Sequence, residues 1–163
     1  MITNIEAASK SSRKARNSAA RLAAVQAVYQ MLANDQKASA VIEDFMASRL
    51  GKPVDGIDMV MPDGILFKNI VEGVAARQDD LETILTGASA ARKGTEDASL
   101  PAKSEPLLLS LLLCGAFELL AHHETDAPII ISDYLHVSHA FFDQGEDRLV
   151  NGLLDQVKKS VRD

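Results

Sequence analysis

Residues 107–120 read LLLSLLLCGAFELL, and this stretch decides the fold class. Its apolar residues cover every side of a helix, which is typical of a helix buried within a protein. Pro106, preceded by Ser104 and Glu105, suits the first turn of a helix, where the missing N–H would have had no partner. The stretch is too short to span a bilayer and contains Glu118. We therefore expect a central, buried helix in a soluble protein.

Amphipathic patterns on both sides of this stretch predict further helices. Apolar residues recur with the helical period of 3.6, and the turns between them contain Gly and Pro. No strand pattern of useful length is found. The predicted class is all-α, a single domain of about six to seven helices. The other helices are expected around residues 20–32, from about Ser39 to Leu50, from near Pro62 to Gly87, from about Ser132 to Phe142, and from about Glu146 onward.

The segments that connect the predicted helices differ from one another in their composition. Residues 51–64 hold three glycines and two prolines and are predicted to form a loop. The stretch 87–103 fits either a loop or a poorly ordered helix. Asp126 and Pro128 are expected to end the fourth helix, which leaves residues 129–131 as a buried connection.

Composition excludes several classes of protein. The chain has 163 residues, of which 47% are apolar, so most of it is not disordered. One cysteine rules out an internal disulfide framework and suits the cytoplasm, and the polar N-terminus lacks a secretory signal. No glycine-rich phosphate cradle occurs. Cys114 is expected to be a buried structural thiol, and His136 and His139 lack a convincing third ligand. We expect no catalytic site, metal or cofactor.

Positive charge is concentrated at the N-terminus of an otherwise acidic chain. Residues 1–30 carry a net charge of +4, and the remainder carries −10. Such a distribution predicts that a polyanion binds at one edge, although a solvated, mobile tail fits the charges equally well. The basic residues are Lys10, Arg13, Lys14, Arg16 and Arg21.

The first predicted helix adds residues suited to RNA. Arg21 can reach phosphates, Gln26 can read a base edge, and Tyr29 can stack on an unpaired base. This set favours single-stranded RNA over duplex DNA, because stacking requires splayed bases. The alternative interpretation makes Tyr29 a half-buried core aromatic and Gln26 a solvated residue.

Four segments resemble the NusB family of transcription antitermination factors. Residues 20–29 (ARLAAVQAVY) resemble the family's AR..A.QALY opening, and 67–74 (FKNIVEGV) resemble its F...L..GV helix. Residues 115–119 (GAFEL) are similar to its A.YEL segment. Residues 149–155 (LVNGLLD) are similar to FVNGVLD, the most specific of the four.

The resemblance implies two small helical bundles and an RNA-binding, non-enzymatic function. Members bind the boxA element of ribosomal RNA leader transcripts with NusE, a small-subunit ribosomal protein, in an antitermination complex on RNA polymerase. Residues 1–17 would form a basic, flexible arm and 18–163 the helical domain. The RNA-binding residues implied by the resemblance are Arg13, Lys14, Arg16, Arg21, Tyr29 and Leu149, to which the first helix adds Gln26 by its residue type, and Glu105 would face NusE.

The chain departs from the family pattern at several positions. Asn17, Ser18 and Ala19 loosen the arginine cluster, Leu149 replaces the usual Phe, and residues 132–134 replace the fifth-helix NEA pattern. Two alternatives remain. The first is a helical protein-interaction module or homodimer that binds no RNA. The second is the NusB-like opening of a ribosomal-RNA cytosine methyltransferase, which a chain ending at Asp163 would not have room to complete.

Overall fold

The computed structural model describes residues 2–48, 50, 60–93, 105–143 and 145–162, with the side chains of 2–12 and 93 excepted. These residues contain six helices and no strand, which confirms the all-α class. The helices are α1 (Ile2–Asn34), α2 (Ala38–Ser48), α3 (Gly64–Lys93), α4 (Pro106–Ala121), α5 (Ala127–Phe141) and α6 (Glu146–Arg162).

The helices form two small bundles that share α3 and are joined through α1 and α4. Helix α2 packs on α1 and α3, whereas α4, α5 and α6 pack together with the rest of α3. A kink at Arg77 (φ −125°, ψ 23°) lets the two parts of α3 follow different directions. Phe67 before the kink stacks on Phe45 of α2, with ring centroids 5.7 Å apart.

Helix α4 is the central helix, as predicted. Residues 108–119 of it are all buried, and it contacts α1, α3, α5 and α6. Gly73 of α3 allows a close approach, because a Cβ placed there would lie 2.0 Å from the Cζ of Phe117. None of the described helices combines the length and apolar character needed to cross a membrane.

The carbonyl end of α4 is capped by a side chain from α6. The last carbonyls of a helix lack intrahelical partners. Arg162 donates from Nε to the carbonyl of Leu119, and from its two terminal nitrogens to those of His122 and Thr125, each over 2.8 Å. One guanidinium therefore satisfies this helix end and fixes the turn into α5.

Some helix boundaries differ from those predicted. Helix α5 begins at Ala127 and not at Ser132, so the expectation that residues 129–131 form a connection is wrong. Pro128 lies in the first turn of α5, where a missing N–H costs nothing, and does not act as a breaker. Helix α3 continues past Gly87 to Lys93, which makes 87–93 helical. Of the loop predicted over 51–64, residues 60–63 are non-helical, whereas 51–59 and 94–104 lie outside the described residues.

Helix α1 starts much earlier than the sequence pattern indicated. Its backbone is helical from Ile2, so the residues assigned to a separate basic arm continue directly into the first helix. Near Arg16 the helix is attached to the start of α3. The backbone N–H of Asp63 donates to the Arg16 carbonyl over 3.1 Å, and Arg16 Nε donates to the Met61 carbonyl over 3.2 Å.

Candidate functional site

A buried group of charged and polar side chains joins α1, α4 and α5. Arg21 of α1 forms a two-pronged contact with Glu118 of α4, from Nε to Oε2 (2.7 Å) and from its second terminal nitrogen to Oε1 (3.0 Å). Its third nitrogen donates to Asp133 of α5 over 2.8 Å. Tyr134 donates its hydroxyl to Glu118 over 2.5 Å, and Ser18 donates to Asp133. These bonds fix the relative positions of the three helices.

The partners of Glu118 decide its ionisation. Its side chain has no solvent exposure, and burial by itself would raise its pKa. Hydrogen bonds from His122, Arg21 and Tyr134, together with the charge of Arg21, outweigh burial and lower the pKa of Glu118 from 4.5 to about 2. The carboxylate is therefore charged at neutral pH and is matched by the guanidinium.

This position corrects the role expected for Arg21. The residue is 5% exposed, and all its nitrogens are bonded to carboxylates. A phosphate could reach the guanidinium only by breaking a buried ion pair, which is costly. Arg21 therefore supports the fold and does not belong to an RNA-binding surface.

Helices α1 and α5 lie side by side and run in the same direction. Ser18 and Arg21 contact Asp133 early in α5, and residues further along α1 line one pocket together with Phe141 at the end of α5. Asp133 thus holds the two helices together at one end of the groove between them.

A pocket of about 510 Å³ opens at the other end of this groove. It is large enough for a small ligand, since such pockets span roughly 300–1,000 Å³. Carboxamide, aromatic and aliphatic side chains line it, with no charged residue among them. The lining residues are Gln26, Tyr29, Gln30, Ala33, Asn34, Leu107 and Phe141.

The pocket brings together two residues selected from the sequence. Tyr29 is 41% exposed, and Gln26 is also exposed. These exposures also agree with the alternative interpretation of Tyr29 as a half-buried aromatic and Gln26 as a solvated residue, but they leave part of the ring accessible. An accessible ring beside an amide can stack on a base and hydrogen-bond to its edge.

The basic residues before the pocket are exposed but lie on different sides of α1. Helical geometry places Lys14 about 60° around the axis from Tyr29 but about 160° from Gln30, and about 22 Å along the axis from Tyr29. Arg13 and Arg16 lie about 160° and 140° from Tyr29, although Arg16 lies about 40° from Gln30. Arg16 is also engaged by the Met61 carbonyl. The basic residues and the pocket therefore do not form one compact patch, and none of these three cations is aligned with all the residues that line the pocket.

Two further residues predicted to take part in binding lie outside the pocket. Glu105 is exposed at the start of α4, two residues before Leu107 of the pocket. Leu149 of α6 is partly buried against the core and does not line the pocket.

Several residues of this region were missed by the sequence interpretation. Gln30, Asn34, Leu107 and Phe141 line the pocket, but they come from three helices whose packing a pattern does not reveal. Glu118 carried a signal, because a lone acid in a helix apolar on all sides requires a buried partner.

The described part of the chain shows neither a metal site nor a reactive thiol. Its His, Cys, Asp and Glu residues form no group of three suited to a metal ion. Burial and the charge of Glu118 raise the pKa of Cys114 well above its usual range, which keeps the thiol protonated and unreactive.

Comparisons with known proteins agree with the motifs. A profile of the NusB family matches residues 18–159. The transcription antitermination protein NusB of Novosphingobium aromaticivorans is 38% identical over 144 residues, covering 88% of this chain and 93% of that protein. That of Hyphomonas neptunium is 37% identical over 149 residues, covering 91% and 93%.

A solved structure agrees at the level of the fold. NusB of T. maritima superposes with a TM-score of 0.66 at 16% identity, covering 88% of this chain and 90% of that one. Because the family profile covers most of the chain and the relatives match along nearly their whole length, the chain belongs to the NusB family, a family of transcription antitermination factors and not of enzymes.

Proposed function

We propose that this protein binds boxA-type single-stranded RNA through the groove between α1 and α5, together with NusE, as part of an antitermination complex on RNA polymerase in the cytoplasm. The observation that carries the proposal is the accessible ring of Tyr29 in an uncharged pocket beside Gln26. Family membership supplies the class of ligand and partner.

The charges suggest how RNA lies on the surface. The body of the protein is acidic and repels phosphates, so RNA approaches from the basic N-terminal region. Lys14, whose side chain is exposed, neutralises a phosphate, and bases further along reach Tyr29. Arg13 and Arg16 contribute attraction at longer range.

The protein partner completes this surface. Glu105 is exposed at the end of α4 nearest the pocket, which suits a basic partner such as a ribosomal protein. NusE bound there would extend the surface available to RNA. Leu149 provides apolar contact at most, since it lacks a ring to stack on a base. The division into a basic N-terminal segment (1–17) and a helical domain (18–163) stays a prediction, with residues 2–17 continuous with α1.

A salt titration of RNA binding tests the proposal. Fluorescence anisotropy with a labelled boxA RNA, with and without NusE, should show binding that NusE strengthens and salt weakens. Lys14→Ala should reduce the salt dependence by about one counterion, and Arg16→Ala should reduce it less, because the Arg16 side chain is held by the Met61 carbonyl. A protein that binds NusE or itself and leaves the RNA free would favour the interaction module or homodimer instead.

A further inference from the structure

Three carboxamides form a row along the pocket. Gln26, Gln30 and Asn34 are spaced by four residues on α1, so they lie one above another on one side of the helix. Tyr29 and Phe141 supply aromatic surface in the same pocket. Amides beside aromatic rings, without charges, are suited to a neutral, planar ligand with hydrogen-bonding edges, as a nucleobase is.

The end of α1 places a partner beside the middle amide. Asp35 adopts a left-handed conformation (φ 51°), and the N–H of Gln36 then donates to the Met31 carbonyl over 3.0 Å. This turn is a common way to end a helix. It brings Gln36 back beside Gln30.

The partners of Gln30 determine which way its amide faces. Its Nε2 donates to Gln36 Oε1 over 3.1 Å and approaches Asp44 Oδ2 of α2 at 3.5 Å. A carboxylate can only accept a hydrogen bond, so the NH₂ group and not the oxygen must face Asp44. The oxygen Oε1 is left without a donor among the described residues, and Gln30 thus offers an acceptor.

We propose that this pocket holds one unpaired nucleobase and selects a base with an exocyclic amino group, which donates to Gln30 Oε1. Tyr29 stacks on the base. Cytosine carries an amino group where uracil carries a carbonyl oxygen, and a carbonyl facing Oε1 would leave two acceptors opposed. This inference rests on the proposed RNA-binding function and adds a base preference to it.

Two RNAs that differ only at that group provide the test. Fluorescein-labelled 12-nucleotide oligo(C) and oligo(U) are titrated with the full-length protein, and binding is followed by anisotropy. We expect oligo(C) to bind about 2- to 12-fold more tightly, the range for one net hydrogen bond. Gln30→Met should bring the ratio of the two affinities close to one.

Two further variants separate positioning from folding. Asp44→Ala removes the group that orients the Gln30 amide, so the ratio should fall while the melting temperature stays within a few degrees. Gln78→Met on α3, a residue that does not line the pocket, is the matched control and should keep the ratio.

The outcomes distinguish the two proposals. Equal binding of the two RNAs, or a preference that Gln30→Met does not alter, would overturn the base preference while RNA binding stands. A preference lost when NusE is added would mean that protein covers the pocket, which also overturns it. Absence of binding to both oligomers and to boxA RNA with NusE would remove the base preference and the proposed function together.

Discussion

Replacing Arg21 by methionine tests whether this arginine supports the fold or binds RNA. Methionine keeps much of the side-chain length but removes every bond to Glu118 and Asp133. Glu118 is fully buried, and its charge would lose the one cationic partner of fixed charge that it has among the described residues. Removing one member of a buried ion pair costs about 3–5 kcal/mol. Losing the contact with Asp133 should lower the free energy of unfolding by a smaller amount, because 15% of the Asp133 side chain is exposed.

The cost is large relative to the stability of a domain of this size. A typical free energy of unfolding is about 5–15 kcal/mol. At about 2–4 °C per kcal/mol, Arg21→Met should lower the melting temperature by roughly 6–20 °C. Urea denaturation followed by circular dichroism at 222 nm measures the change, and the double variant Arg21→Met/Glu118→Leu should recover part of it.

RNA binding by the folded fraction supplies the decisive comparison. Lys14→Ala serves as the reference, since Lys14 is exposed and should affect RNA affinity with a stability change within about 0.5 kcal/mol. Arg21→Met should lower the stability strongly and leave the RNA affinity of the folded fraction unchanged. An Arg21→Met protein of normal stability with weakened RNA binding would refute the structural role assigned here.

Three other predictions concern the framework of the fold. The lowered pKa of Glu118 stabilises the folded state above the unfolded value of 4.5, so stability should fall by roughly 3 kcal/mol between about pH 5 and pH 2; urea titrations of Glu118→Gln should lack this component, and parallel pH profiles would contradict it. Gly73→Ala should lower the free energy of unfolding by about 1–3 kcal/mol, because the added Cβ would overlap the ring of Phe117. Gly87→Ala, whose added Cβ would have nothing within 4 Å, should raise the free energy of unfolding by about 0.5–1 kcal/mol. Calorimetry measures both changes, and equal effects of the two variants would rule out the close approach at Gly73. Arg162→Ala should destabilise the protein by about 1–3 kcal/mol and speed hydrogen exchange in the residues after α4. As a control, Lys159→Ala at an exposed position should change stability by less than about 0.5 kcal/mol. An Arg162→Ala variant as stable as the unaltered protein would argue against the cap.

The fold class was predictable because helix periodicity and composition agree. Residues 107–120 are apolar on every side, and only a central position can bury all sides of a helix. Helix boundaries at proline residues were harder to predict than the fold class. Pro128 is compatible with the end of one helix and with the first turn of the next, and only the observed start of α5 decides between them.

The role of Arg21 shows how a local interpretation fails. An arginine near other cations is typical of a phosphate site, yet Arg21 is in phase with the buried residues Val25 and Val28 on α1. Together with the lone Glu118 in an apolar helix, that phase indicates a buried ion pair. The pocket carried no such signal, because α1 and α5 are far apart in sequence and their contact depends on Asp133.

Removing the Tyr29 ring tests the central claim most directly. Anisotropy of boxA RNA with NusE present should show that Tyr29→Ala weakens binding by about 5- to 150-fold, the loss expected for one stacked base, whereas Tyr29→Phe should bind as the unaltered protein does. Equal affinity of the unaltered protein and a correctly folded Tyr29→Ala variant would contradict the assignment of this pocket to RNA.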